Sequence, residues 1–179
     1  MIFCCSVFAN DTKAICGDNS GVLNVWDLEN AKRINSFMER HSKCIQCCAV
    51  FDGDAKAIHG SGDALLVLDL VEGKVIHYLG YFSMVQHTAA VVCCEVIQNN
   101  TKAVSGSHDG TLIVWNLIEG IAIHRFEEHC EISNISDIAI FDIAIFDRDL
   151  KVLSASADRT LKVWDIEEGK EIYTMEGHT

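Results

Sequence analysis

The 179-residue sequence has no proline, few basic residues and no long apolar run. Without proline there is no stiff extended linker, which fits a domain made of strands and tight turns. Only 14 Lys and Arg stand against 26 Asp and Glu, a net charge of −12, and the basic residues are scattered rather than clustered. Phosphate backbones and anionic bilayers are held by clustered cations, so neither nucleic acid nor a membrane is an expected partner. No stretch reaches the ~18 apolar residues of a membrane span. The opening Met1-Ile2-Phe3-Cys4-Cys5-Ser6-Val7-Phe8 lacks a basic leader and reads as a strand, not as a signal peptide. The expected location is cytoplasmic.

Cysteine, by contrast, is plentiful. There are nine, and seven of them fall in strand-like runs as Cys4-Cys5, Cys44, Cys47-Cys48 and Cys93-Cys94. Adjacent strand residues point to opposite faces, so a vicinal pair cannot share one partner. Cys44 and Cys47 make a C-x-x-C, but an offset of three in a strand also divides them between faces, and no metal is expected there. The cysteines read as small buried hydrophobes in a reducing compartment.

The chain is organised by a phrase that recurs four times: Val25-Trp26-Asp27-Leu28, Val67-Leu68-Asp69-Leu70, Val114-Trp115-Asn116-Leu117 and Val163-Trp164-Asp165-Ile166. The aromatic, or its stand-in Leu68, returns at intervals of 42, 47 and 49 residues. A period in the forties with four short β segments per unit is the signature of a β-propeller blade. In the third unit, strands over 89–97, 102–108, 111–117 and 121–126 are separated by Gln98-Asn99-Asn100-Thr101, Asp109-Gly110 and Ile118-Glu119-Gly120. Asp-Gly between alternating runs is a hairpin signal. The other units repeat the plan, which predicts an all-β chain of sixteen strands in four four-stranded antiparallel sheets, with no helix.

These residues resemble the WD-repeat (WD40-type) β-propeller family over essentially the whole chain. Besides the tryptophan phrases, the S-x-S-x-D-x-T pattern stands at Ser105-Gly106-Ser107-His108-Asp109-Gly110-Thr111 and at Ser154-Ala155-Ser156-Ala157-Asp158-Arg159-Thr160. The family's Gly-His survives intact as Gly177-His178 and altered as Arg40-His41, Gln86-His87 and Glu128-His129. The resemblance implies blades over about 1–40, 41–86, 87–128 and 129–176, with 177–179 opening a further repeat. It also implies a side-chain network of His, strand Ser, turn Asp and Trp within a blade. Blade 3 supplies His87, Ser105, Asp109 and Trp115, and blade 4 supplies His129, Ser154, Asp158 and Trp164. Blade 2 keeps His41 and Asp63 but has His59 at the serine position and Leu68 at the tryptophan. Blade 1 has Trp26 with Cys16 and Ser20. Blades 1 and 2 are therefore expected to be the less rigid half. A Ser, His and Asp together invite a hydrolase reading. There is no strained nucleophile elbow and no oxyanion-hole loop, so the residues read as structural. His77 and His124, in fourth strands, read as surface residues.

Two features break the period. Asp137-Ile138-Ala139-Ile140-Phe141 is followed at once by the identical Asp142-Ile143-Ala144-Ile145-Phe146. A five-residue shift exchanges inward and outward faces, so one copy is expected to form the strand and the other an extension, bulge or loop. The connection after the second unit is also longer than its counterpart, thirteen residues from Lys74 to His87 against eight from Lys170 to His178, and the surplus falls in Gly80-Tyr81-Phe82-Ser83-Met84-Val85, an aromatic loop of the kind that carries binding hot spots.

The expected function is a non-enzymatic protein–protein interaction scaffold, with no cofactor, no metal and no catalytic residue. Candidate contact residues are Tyr81 and Phe82 of the long loop, together with the positions at which the family resemblance implies contacts: Asp18, Ser61, Ser107 and Ser156. The partners are other proteins, and further blades in the same or another chain are expected, with the sequence as part of a larger ring. An alternative follows from a looser resemblance to the propellers of NACHT-type signalling proteins, namely a regulatory sensor of a neighbouring NTPase. An enzyme using the propeller channel would need convergent acids or metal ligands, and none is evident.

Overall fold

Short alternating segments closed by left-handed turns give sixteen strands in a computed structural model, which describes residues 1–38, 43–80, 84–127 and 139–177. The first sheet holds β1 (Ile2–Phe8), β2 (Lys13–Asp18), β3 (Val22–Asp27) and β4 (Lys32–Met38). The second holds β5 (Ile45–Phe51), β6 (Lys56–Ser61), β7 (Ala64–Asp69) and β8 (Lys74–Leu79). β9 (Val91–Ile97), β10 (Lys102–Ser107), β11 (Thr111–Asn116) and β12 (Ile121–Glu127) form the third. β13 (Ile140–Phe146), β14 (Lys151–Ser156), β15 (Leu161–Asp165) and β16 (Lys170–Met175) form the fourth. Each sheet is an antiparallel meander in chain order, and no helix occurs among the described residues.

The turns explain the recurring phrases. After the first strand of every sheet three successive residues take φ between 50° and 69°: Ala9-Asn10-Asp11, Asp52-Gly53-Asp54, Gln98-Asn99-Asn100 and Asp147-Arg148-Asp149. Each turn is closed by an N–H···O bond of 3.2 Å, from Thr12, Ala55, Thr101 and Leu150 to Ala9, Asp52, Gln98 and Asp147. Left-handed backbone suits Asn, Asp and Gly because their short side chains clash least. The acid or amide after each tryptophan position has a separate task. Asp69 Oδ1 accepts the N–H groups of Val71 and Glu72, both at 2.8 Å, and Asn116 and Asp165 cap the equivalent turns in the same way. The phrase is a strand that ends in an Asx turn.

The sheets stack in chain order with their first strands side by side, β1 on β5, β5 on β9 and β9 on β13, and they are not closed into a ring. Three apolar cores fill the three junctions. Ile15, Leu23 and Val25 of the first sheet meet Ile45, Ala57 and Leu68 of the second. Ile58, Leu65, Val67 and Leu79 meet Ala103, Ile113 and Trp115, and Val104, Leu112, Val114 and Phe126 meet Val152, Trp164 and Ile166. The face that carries the tryptophan position is thus packed on the preceding sheet in the second, third and fourth sheets. Phe126 covers Trp164 with ring centroids 4.9 Å apart. Phe37, at the position equivalent to Phe126, packs in the core that holds Leu68, a larger residue across from a smaller one.

The tandem copy resolves as a bulge. The second copy pairs with β14 from Asp142↔Ala155 to Phe146↔Lys151, the register breaks at Phe141, and Ile140 of the first copy pairs with Ser156. The same break follows Ile2, Ile45 and Val91. The repeat therefore supplies the bulge that every first strand has. Asp137 and Ile138 lie outside the described residues.

Candidate functional site

Sheet edges fix where functional side chains can be presented. Turns 9–12, 28–31 and their equivalents lie at one end of the strands; the turns between second and third strands, and the connections between sheets, lie at the other. The sequence-predicted residues that fall among the described ones lie at this second end or inside the sheets.

In the third blade the network is complete and its direction can be assigned. Trp115 Nε1–H donates to Ser105 Oγ at 2.8 Å, and Ser105 lies 2.7 Å from His87 Nε2. His87 Nδ1 is 2.8 Å from Thr111 Oγ1, and Thr111 donates to Asp109 Oδ1 at 2.6 Å. Because a carboxylate only accepts, Thr111 must accept from His87 Nδ1–H. His87 Nε2 then accepts from Ser105, which in turn accepts from Trp115. One unbroken chain of donors runs from indole to carboxylate. Asp109 also accepts the N–H of Thr111 at 3.0 Å and that of Thr88 at 2.6 Å. Burial pushes the Asp109 carboxyl up, but the bonds from His87, Thr111 and Thr88 outweigh it and hold it well below the usual range. A depressed carboxylate stabilises the fold above its ordinary pKa, and that contribution is lost as pH falls through the folded value.

Thr111 and Thr88 were missed as members of this network, although the Asp-x-Thr spacing of the S-x-S-x-D-x-T pattern carries the first of them. In blade 4, Trp164 donates to Ser154 at 3.0 Å and Thr160 to Asp158 at 2.8 Å, while His129 lies outside the described residues. Blade 2 departs from the pattern. Burial alone pushes His59 down to about 4, so it is neutral in the fold at pH 7. Asp63 is exposed at the rim and ion-paired with Lys43. His41 lies outside the described residues.

The hydrolase arrangement does not occur in blade 3. Ser105 is fully buried, and its oxygen is engaged by both Trp115 and His87. No substrate carbonyl can reach it.

The four family-implied contact positions all end second strands, paired with Ile2, Ile45, Val91 and Ile140. Asp18 is half-buried and accepts the N–H groups of Ser20 and Val22 at 2.9 and 3.0 Å. Ser61 is buried and donates to Lys43 O at 3.4 Å. Ser107 is fully enclosed, donating to Ala89 O and accepting from Asp109 N–H, both at 3.1 Å. Ser156 accepts from Asp158 N–H at 3.3 Å. These side chains order the rim, and what the rim presents is what stands on it: Lys43, Asp63, Thr88 and the connection into β9. Tyr81 and Phe82 lie outside the described residues, but their loop neighbour Met84 is 100 % exposed.

His77 and His124 differ from the surface reading. Both are half-buried, seated over Gly120 and Gly169 of the next blade's turn, and His124 Nε2 is 3.2 Å from Glu167 O. Their sequence positions gave no hint of this, because the glycine each one covers belongs to the following unit.

Among the described residues no group of three or more His, Cys, Asp or Glu is arranged to hold a metal ion, and no helix is long and apolar enough to cross a membrane. The family model described as "WD domain, G-beta repeat" matches residues 80–116 and 120–165. The second match starts just before the last strand of one sheet and ends on the third strand of the next, so the sequence repeat is offset from the sheet. The matched segments contain the serine and tryptophan positions of the third and fourth blades. No curated protein matches the chain. Four meandering sheets of four strands, the Trp–Ser–His–Thr–Asp relay and these matches have one common explanation: residues 80–165 are WD repeats, and the other two sheets follow the same plan.

Proposed function

We propose that this chain is a non-enzymatic scaffold that engages a protein partner through the connection between β8 and β9, in keeping with the protein-interaction kind of function that WD repeats support. The observation that carries this reading is the contrast between the two sets of side chains. The reactive-looking Ser, His and Asp are consumed inside the blade, whereas the long connection holds out the fully exposed Met84. An unbranched thioether two and three positions along the sequence from Phe82 and Tyr81 supplies the adaptable apolar surface from which interface anchors are made. Lys43, ion-paired to Asp63, and Thr88 provide a polar border. The proposed location is cytoplasmic. The regulatory alternative, a propeller that restrains a neighbouring NTPase, rests on sequence wording alone.

The test compares proteins captured by the wild-type chain with those captured by a Tyr81→Ala/Phe82→Ala/Met84→Ala variant, both confirmed folded by circular dichroism. The variant is expected to lose at least tenfold in affinity for the main captured protein, as truncating a hot-spot cluster does. Equal affinity would remove the loop from the interface.

A further inference from the structure

The vicinal cysteines, read from sequence as inert filler, form an ordered row along the innermost strands. Cys4, Cys47 and Cys93 occupy one register position, and Cys5, Cys48 and Cys94 the next. Because neighbours on a strand point to opposite faces, each pair sends one thiol to the preceding blade and one to the following blade. Cys4 Sγ of blade 1 reaches across to Ile45 O of blade 2 and Cys48 Sγ of blade 2 reaches back to Ile15 O of blade 1, each at 3.9 Å, so the two thiols face each other at this junction, and Cys47 and Cys94 hold the same register positions at the next. The glycines make room for this. A Cβ on Gly17 would lie 2.8 Å from Cys4 Sγ, and one on Gly60 would lie 2.9 Å from Cys47 Sγ. The row borders a cleft of about 340 Å³ lined by all six of these cysteine residues together with Gln46, Glu95 and Asp142.

The two inter-blade pairs are alike in register and unlike in access. Cys47 and Cys94 are both buried, and Cys47 Sγ–H is directed at Val91 O, 3.7 Å away. Cys4 and Cys48 are only half-buried. Their chemistry also differs. The Cys48 thiol and the Gly17 N–H stabilise a Cys4 thiolate against the opposing effect of burial, so the Cys4 pKa is lowered, whereas the Cys48 and Cys94 thiols are pushed up. Thiol–disulfide exchange needs an accessible thiolate and a second thiol close enough to resolve the adduct.

We propose that Cys4 and Cys48 form a modification site for small disulfides of the glutathione class, which convert the pair into a covalent bridge between blades 1 and 2. The Cys4 thiolate attacks one sulfur of the small disulfide, forming a mixed disulfide and releasing one small thiolate. Cys48 gives up its proton and attacks the Cys4 sulfur, expelling the second. Two protein thiols are oxidised to one disulfide, one small disulfide is reduced to two thiols, and the protein's two thiol protons end on the products. Cys5, exposed and lacking a counterpart on a preceding blade among the described residues, is the competitor.

The experiment treats the reduced full chain with glutathione disulfide, alkylates the remaining thiols and maps the peptides by fragmentation. The expected product is a Cys4–Cys48 link, with Cys47 and Cys94 blocked to alkylation until the chain is unfolded. Cys48→Ser is expected to stop at a stable glutathione adduct on Cys4, and Cys4→Ser to give no link. Formation of the link should raise the denaturant midpoint of the wild type, and a reductant should reverse the rise. A Cys4–Cys5 link, glutathione confined to Cys5, or equal linking of Cys47 to Cys94 would each overturn the proposal. The wild-type map decides the matter even if a serine variant fails to fold.

Discussion

The hydroxyl of Thr111 carries more than its place in the pattern suggests. It is the only group between the His87 imidazole and the Asp109 carboxylate that both accepts and donates, at 2.8 and 2.6 Å. Thr111→Val keeps the shape and removes that function. It leaves the buried His87 N–H with only the Asp109 carboxylate, 3.5 Å away, as an acceptor and takes one donor from Asp109. The expected cost is about 1–3 kcal/mol, comparable with Ser105→Ala, which strands the Trp115 N–H. Urea unfolding of the two variants checks this, and a neutral Thr111→Val would show that His87 does not need the relay. The tetrad residues of blade 3 were legible through the resemblance to WD repeats, which places that family's His, Ser, Asp and Trp at His87, Ser105, Asp109 and Trp115. Thr111 was overlooked because a threonine opening a strand is also a good β-former, so its fixed place two residues after Asp109 reads as strand propensity. The enclosure of Ser107 was hidden for another reason, since a polar turn residue is usually solvated, and its acceptor Ala89 O comes from the preceding connection.

At the scale of strands and turns, the period and the turn chemistry specified sixteen strands, because alternation and Asx or left-handed turns act within a few residues. What lay outside the reach of local reading were contacts between units. Gly120 is such a case. Its φ of 72° and its position at the turn into β12 both favour glycine, but a Cβ there would also lie 2.7 Å from His77 Nδ1 of the previous blade. Gly120→Ala therefore carries two costs, a backbone one of about 1–2 kcal/mol for the left-handed conformation and a steric one against His77. Only the second is removed by His77→Ala. A double-mutant cycle on unfolding free energies should give a coupling of about 1 kcal/mol, the double variant being less destabilised than the sum of the singles. Strict additivity would mean that His77 swings aside freely and that the seat over the glycine holds nothing.

For the whole molecule, stacked units that touch only their neighbours have stabilities set by each unit and each junction, so the weakest junction opens first. Among the described residues the junction of blades 1 and 2 buries six core residues, against twelve at the junction of blades 2 and 3. It also lacks the large ring: Leu68 stands where Trp115 and Trp164 stand in the later blades, and Trp26 is itself only half-buried. Cys16 and His59 replace the relay serines, so neither early blade repeats the Trp–Ser bond. Burial adds a pH term in the same region. His59 is held near 4 in the fold, below its ordinary 6.5, so its contribution is intact above 6.5 and erodes as pH falls toward 4. Amide hydrogen exchange followed by peptide should therefore show β2 and β3 exchanging well ahead of β10 and β11. All four are internal strands with neighbours on both sides, so the difference reports junction strength and not edge fraying. The gap should widen at pH 5 relative to pH 7 once the intrinsic exchange rate is divided out. Linking Cys4 to Cys48 should narrow it, because the bridge crosses the junction that opens. Uniform protection across the four strands would mean that the sheets unfold as one cooperative body, with the relay in blades 3 and 4 supporting the first two blades as firmly as its own.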